Sequence, residues 1–331
     1  MAGKKSVSIV IPNYNGKNLL QEYLPHTIDV IEASGANYEI IVVDDASTDD
    51  SVTFMQTAYP QVKLLVNEVN SGFSHSCNRG IFESKCDLVL LLNSDVKLLP
   101  GYFDEQWKYF DDPETFGVQG RIIDMDGDRI QEAGRIPKFN GLKLKTDYFY
   151  YTEQPNDSLY TFYLMGANAL IDATKLKQTR GFYELFSPFY CEDMELSIRA
   201  WRLGWKCYYE HQSVCRHRVS ASTKNYKSAK WVKSVYYRNR FYMHALHLDG
   251  LALLGWYAQI TLVDLLPKLL VGQFWIWKSY LDLFKNHKLI SEYKTRLKDL
   301  LHKNNSRLSI FNIVNNIRAS VKDKALIKIK L

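Results

Sequence analysis

The chain has 331 residues, 46% of them hydrophobic and 24% charged, with a formal net charge of +6. That length holds one large domain with an appendage or two domains, and the composition excludes a disordered or fibrous chain. The charge is uneven: 12 Lys and Arg stand against 3 Asp and Glu from Lys285 to Leu331, which leaves the remainder at −3 and excludes a basic nucleic-acid binder.

Strand and helix signals alternate from residue 6 to about residue 100. Ser6–Ile11 reads as a strand stopped by Pro12, Leu19–Ile31 as a helix ended near Ser34-Gly35, and Tyr38–Val43 as a second strand. Asp49–Tyr59 follows as a short helix closed by Pro60, then Val62–Val66 (strand), Ser74–Ser84 (helix) and Asp87–Leu92 (strand). Strands separated by helices argue for a parallel sheet with right-handed crossovers. Gly101–Tyr163 loosens into a pattern read as loops and an irregular, substrate-facing region. Order returns at Phe162–Ile171, at a helix from Glu192 to Leu203 stopped by Gly204, and at a strand over Trp205–Tyr209.

Past Ser222 the composition shifts. Tyr226–Leu248 is helical, and Leu251–Trp277 is strongly apolar but interrupted by Asp264, Pro267 and Lys268. No uncharged run there reaches the roughly 20 residues of a spanning helix. Thr261, Asp264 and Lys268 form a polar stripe at helical spacing, with interface-type aromatics around it. An in-plane amphipathic helix pair followed by the basic tail is preferred over helices packed on the catalytic part or in a dimer interface. The tail suits an anionic membrane leaflet or, equally, a solvated helical face. Five cysteines without a C-x-x-C pair, and a start with no signal-peptide apolar region, make a cytoplasmic location the expectation.

The chemistry-bearing residues follow the apolar runs. Ligands of α/β sheets gather at the carboxyl ends of strands, and three acidic clusters stand there: Asp44-Asp45, Asp95, and Glu192-Asp193. Pro12-Asn13-Tyr14-Asn15-Gly16 offers an aromatic face for a base, or an ordinary turn. Asp44 has the chemistry to accept the imide N–H of uracil or thymine; Ser47 and Asp49 read equally well as helix caps. Gly72 allows a tight turn before a helix whose N–H groups face a phosphate, with Asn78 and Arg79 further in. Neither G-x-G-x-x-G nor a P-loop is present, against a dinucleotide oxidoreductase and a P-loop enzyme. In Asn93-Ser94-Asp95, Asp95 suits Mg²⁺ or Mn²⁺ bridging a leaving diphosphate, and Asn93 is a weaker ligand than a second carboxylate. Glu192 and Asp193 open a helix, where acids complement the dipole or, in a sheltered cleft, serve as a general base. Glu195 and Arg199 read as a structural pair four residues apart. Cys207, His211, Cys215 and His217 match no usual zinc spacing; a strand ending in His217, giving one imidazole beside Asp95, is the better reading.

In order and spacing these segments, with Gly166-Ala167 and with Ser222 beyond His217, resemble glycosyltransferase family 2, and look closest to its bacterial rhamnosyltransferase-like branch. The resemblance covers about residues 6–225 and implies an α/β GT-A domain over 1–225: a Rossmann-like, mostly parallel sheet flanked by helices. A C-terminal helical, membrane-associated region over 226–331 completes the expected organisation. It further implies inverting, metal-dependent transfer of one sugar from a UDP- or dTDP-sugar to a hydroxyl of a glycan or lipid-linked glycan. Pro12, Tyr14 and Asp44 would hold base and ribose, and Gly72 and Asn78 would line the nucleotide pocket, with Asn15 and Ser94 in the same donor-binding set. Asp95 would be the retained metal-binding acid of the D-x-D motif, His217 a second ligand to Mg²⁺ or Mn²⁺, Asp193 the base and Glu192 its support. Asn93 departs from the first acid of that motif, and Tyr183 stands where many relatives carry Asp before Glu184. The Q-x-x-R-W signature of processive synthases is absent, which implies single transfers. A peripheral membrane contact is expected, nucleic acid is not, and an oligomer is compatible. The rival readings are an inactive GT-A-like scaffold, favoured by Asn93, and a nucleotidyltransferase, which would want a Gly-rich basic loop after the first strand.

Overall fold

Four apolar runs, Val7–Asn13 (β1), Tyr38–Asp44 (β2), Lys63–Val66 (β3) and Leu88–Leu92 (β4), lie parallel in the order β4-β1-β2-β3. They form in a computed structural model that describes residues 4–154, 158–218 and 228–329. The expected boundary at 225/226 and Ser222 fall outside those residues. The runs are continuously apolar because alternate side chains feed two cores. Val10, Val89 and Leu91 join Cys77 and Ile81 of α3 (Phe73–Glu83) on one side. Ile9, Ile11, Leu90 and Leu92 join Leu20 and Leu24 of α1 (Lys17–Ser34) and Met55 of α2 (Ser51–Ala58) on the other.

Pro12 does not stop β1, which runs on to Asn13. Asn13 O accepts from Asp45 N on the β2 side, so Pro12, one residue earlier, turns its missing N–H toward the opposite edge. Pairing with β4 has already ended there at Val10.

After β5 (Val96–Leu98), about half of the stretch expected to be irregular is strand: β6 (Thr115–Ile123), β7 (Ile130–Glu132), β8 (Gly134–Asn140), β9 (Lys143–Tyr151) and β10 (Leu159–Tyr160). With β11 (Asn168–Asp172) and β12 (Lys206–His217), the large sheet runs β10-β12-β6-β11-β4-β1-β2-β3, with β5 on β12 and β7 on β6. Glycines hid β6 from the sequence pattern. A Cβ on Gly117 would stand 2.6 Å from Leu170 O, and one on Gly120 would stand 2.4 Å from Ser213 O. The β8–β9 hairpin was masked by its polar, partly exposed composition. Two helices follow β11, α4 (Ala173–Gln178) and α5 (Glu192–Arg202).

The C-terminal third shares a core with the sheet rather than standing apart. It comprises α6 (Ala229–His247), α7 (Gly250–Gln259), α8 (Leu266–Leu270), α9 (Trp275–Lys285), α10 (His287–Lys303), α11 (Ile310–Ser320) and β13 (Ile327–Ile329). Phe241, Trp256, Ile276, Ile290 and Ile317 from these elements are buried in one cluster with Leu196 and Ile198 of α5. The basic segment, read as suited equally to an anionic leaflet or to a solvated helical face, is folded in: β13 pairs antiparallel with β9, and Arg318 bonds Asp147 at 2.8 Å. A π-helical turn, Ile260–Leu265, joins α7 and α8 into one helix, Gly250–Leu270, long and apolar enough to cross a membrane by length and composition only.

Gly120→Ala is expected to cost about 2 kcal/mol or more, because a methyl group there meets backbone that cannot rotate aside. Chemical denaturation measures it; a loss below about 0.5 kcal/mol would mean that the β6–β12 contact gives way.

Candidate active site

The loops leaving β1, β2 and β4 are laced together at one sheet edge. Asp44 is buried, and its carboxylate accepts from Ser47 N at 2.8 Å, Ser47 Oγ at 2.6 Å and Asn13 Nδ2 at 2.9 Å. Three of its four lone-pair positions are thus taken by the protein, which leaves one for a ligand. Asn15, at φ 51°, donates its N–H to Ser47 Oγ and accepts from Thr48 N at 2.7 Å. Pro12 lies in the same strand end, and Tyr14 beside it is 44% exposed, its ring open to stacking. Gly16 closes on the β4 loop: a Cβ there would meet Asn13 Oδ1 at 2.3 Å and Ser94 Oγ at 3.6 Å.

Asp45, to which the sequence reading gave no separate role, organises the next loop. Its carboxylate accepts from Gly72 N at 2.8 Å, Ser71 N at 2.9 Å and Asn67 Nδ2 at 2.6 Å. Gly72 has φ 89° and packs its bare Cα 3.5 Å from Pro188, counted to a Cβ it lacks. Asn78 departs from expectation. Its amide exchanges two bonds with the backbone of Phe182, at 2.9 and 2.8 Å, and reaches Glu184 at 3.3 Å. It therefore pins the 181–184 loop and borders a different cavity with His75 and Arg296. Residue spacing alone could not reveal which side of α3 its side chain would take.

Asp95 and His217 converge. Antiparallel pairing of β5 with β12 sets Val96 opposite His217, so the residue before β5 stands beside the imidazole. His217 Nε2 lies 3.6 Å from Asp95 Oδ1, and its Nδ1 faces Gln131 Oε1 at 3.2 Å. Two neighbouring oxygen or nitrogen ligands of a Mg²⁺-sized ion stand about 3 Å apart, so this pair is close to the spacing that a shared cation needs. The Asn93 amide oxygen is buried without a hydrogen-bond partner and is a third candidate donor atom. Among the described residues no group of three or more His, Cys, Asp or Glu is placed to hold a metal. The zinc alternative fails on strand geometry: Cys207 and Cys215 are wholly buried, and His211 stacks on Tyr151 at 4.1 Å.

Glu192 and Asp193 open α5 after Cys191, which takes φ 71°. Burial raises the Asp193 pKa, while the Arg135 guanidinium and the N–H groups of Met194 and Gly166 pull it back. Glu192 is pushed from 4.5 to about 8, by burial first and the Asp193 charge second. Two adjoining carboxyls in a sheltered place do not both ionise readily, and with its pKa at about 8 Glu192 keeps its proton at neutral pH. Arg135, which sequence reasoning passed over, is fully buried, paired with Glu132 and 4.1 Å from the Tyr163 ring centre. Glu195 and Arg199 form the expected structural pair, 2.8 Å apart and fully buried.

Two cavities meet at this point. One, of about 820 Å³, is bordered by Asn93, His217, Gln131 and Lys328; the other, of about 670 Å³, by Glu192, Asp193, Arg240 and Trp256. They share Glu132 and Met165 as a common wall, so His217 and the carboxyls of Glu192 and Asp193 sit on adjoining spaces of small-molecule size. Gln131, Glu132 and Arg135 came from the stretch read as irregular, and no sequence signal marked them.

A family model described as glycosyl transferase family 2 matches residues 8–180. An uncharacterized protein of Mycobacterium tuberculosis is 32% identical over 136 residues, which cover 40% of this chain and 42% of that protein. An undecaprenyl-phosphate 4-deoxy-4-formamido-L-arabinose transferase of Edwardsiella ictaluri is 36% identical over 99 residues, 28% of this chain and 30% of the transferase. The matches therefore span less than half the length of these curated relatives. Among solved structures, GalNAc-T7 with UDP, GalNAc and Mn²⁺ superposes with a TM-score of 0.69 over 98% of this chain and 58% of that one, at 14% identity. At that identity the likeness is one of fold, the mixed α/β arrangement called GT-A.

Because the folded state keeps a proton on Glu192 that the unfolded chain has lost, stability falls as pH rises from about 4.5 to about 8. Glu192→Gln is expected to remove that fall, so the wild-type Tm drops relative to the variant across this window. Parallel Tm-against-pH curves would show that Glu192 carries no such proton.

Proposed function

The chain belongs to glycosyl transferase family 2, and on that premise we propose that it transfers a single sugar from a nucleotide-diphosphate sugar, with inversion, to a hydroxyl of a glycan or lipid-linked glycan in cell-surface polysaccharide synthesis. Within the family its motifs resemble those of the rhamnosyltransferase-like branch, and its proposed action is in the cytoplasm at the inner face of the membrane. The observation that carries this reading is the shared wall: His217, 3.6 Å from Asp95, borders one cavity and Asp193 the next, with Glu132 and Met165 between.

The donor lies with its base against Tyr14 and the one free acceptor position of Asp44, and with its diphosphate toward Ser94 and Asp95. A divalent cation, Mg²⁺ or Mn²⁺, would be held by Asp95 and His217, with Asn93 in reach, and would supply neutralisation of the departing diphosphate charge. Asp193 takes the proton from the acceptor hydroxyl as its oxygen bonds to the anomeric carbon. The bond from that carbon to the diphosphate oxygen breaks on the opposite face, and the diphosphate leaves with the electron pair. Burial raises the Asp193 pKa, which makes it a stronger proton acceptor, and the Arg135 guanidinium opposes that rise. Protonated Glu192 places no second negative charge beside Asp193.

Asp193→Asn is expected to lower transfer by about 10²–10⁴ while nucleotide binding persists. Near-wild-type turnover would remove Asp193 from the role. Separately, a thermal shift produced by UDP or dTDP with Mn²⁺ is expected to be lost in Asp95→Ala and weakened in His217→Ala; a shift unchanged in both would place the cation elsewhere. Slow donor hydrolysis by the wild type distinguishes an enzyme from an inactive scaffold.

A further inference from the structure

The helix Gly250–Leu270 is inside out for a protein surface in water. Its polar residues turn inward: Gln259 bonds the backbone of Asn140 and Leu142, Asp264 pairs with Lys143 at 2.8 Å, and Thr261 bonds the Tyr280 hydroxyl. Its leucines turn outward. Leu251, Leu254, Leu262, Leu266 and Leu270 share one side of the helix, and Leu251 and Leu270 are 86% and 87% exposed. Phe274, 70% exposed, and Trp277 extend the row beyond the helix end. A surface helix in water shows the reverse arrangement, and a continuous exposed apolar face marks a contact with another body.

The charges decide which body. From Gly250 to Leu289 the exposed Lys278, Lys285 and Lys288 are positive, whereas the two acids in that span, Asp264 and Asp282, are buried or half-buried. A second copy of the same face would bring like charges together, whereas an anionic headgroup layer complements them. Phe274 and Trp277 at the end of the row are residue types that settle at a bilayer interface.

We propose that the face from Leu251 to Trp277 lies flat on an anionic lipid bilayer. The helix docks in the plane rather than spanning, because its opposite side is committed to the protein. Trp256 and Ile260 are buried there, and Asp264 is tied to Lys143 of β9. That inner side, through Trp256, Ile260 and Asp264, also walls the cavity of Asp193. Docking therefore sets the cavity beside the headgroups, where the acceptor hydroxyl is borne by a lipid; this clause rests on the proposed transfer activity, and the docking itself does not.

The test floats the full chain with vesicles of phosphatidylcholine alone and with added phosphatidylglycerol, and measures donor hydrolysis in the same samples. Expected are flotation with the phosphatidylglycerol vesicles, weaker flotation with neutral ones and at high salt, and at least about tenfold less binding by a Leu266→Glu, Leu270→Glu, Phe274→Glu variant. That variant is expected to keep its Tm and its donor hydrolysis, since the changed side chains point away from the protein. Equal flotation of variant and wild type overturns the proposal. So does a wild-type dimer that fails to float and that the variant abolishes, which assigns the face to a second copy. Loss of hydrolysis in the wild type with flotation intact overturns the activity and leaves the docking standing.

Discussion

A register constraint underlies the site. β12 runs parallel to β6, and between Glu210 and Val214 it inserts extra residues opposite a single step of β6. Gly120 makes room for that bulge, because Ser213 O occupies the space that a side chain would need. Past the bulge β12 takes up β5 in antiparallel register, and Val96 falls opposite His217. Only in that register does Asp95, one residue before β5, meet an imidazole contributed from far along the chain. A slip of one residue would turn His217 to the other face of the sheet.

The second half of the chemistry depends on how charge is shared in a sheltered volume. Asp193 and Glu192 are neighbours at the first turn of α5, and water is largely excluded from both. Removing water penalises each negative charge, and their mutual repulsion penalises holding two. The buried Arg135, itself paired with Glu132, draws the Asp193 pKa back against burial. The ionisation pattern is thus set by side chains from β7 and β8 acting on the start of a helix from the other half of the domain.

The C-terminal helices extend this logic rather than adding a separate module. They bury Trp256, Ile276 and Ile317 into the core that contains α5, so the cavity bordered by Asp193 has walls from both parts of the chain. Their polar side meets the β8–β9 hairpin through Gln259 and Asp264. The apolar side is left outward as a consequence, since a helix that spends its polar groups on the protein has only hydrocarbon to show elsewhere.

The sequence by itself determined the parallel half of the fold and the family. Buried strands announce themselves as unbroken apolar runs, and Asp44, Asp95, Asp193 and His217 were legible because each stands at or just beyond a strand or helix end. Tertiary structure alone decided the rest. Gly117 and Gly120 interrupt the pattern of β6 because backbone from neighbouring strands presses on them, a contact no local period can encode. Whether Asn78 faces the donor or the loop at Phe182, whether Arg135 acts on Asp193, and which side of Gly250–Leu270 meets the protein all depend on partners distant in sequence. Periodicity reports how a segment divides itself between core and surroundings; it carries no information about which other segment lies across the divide.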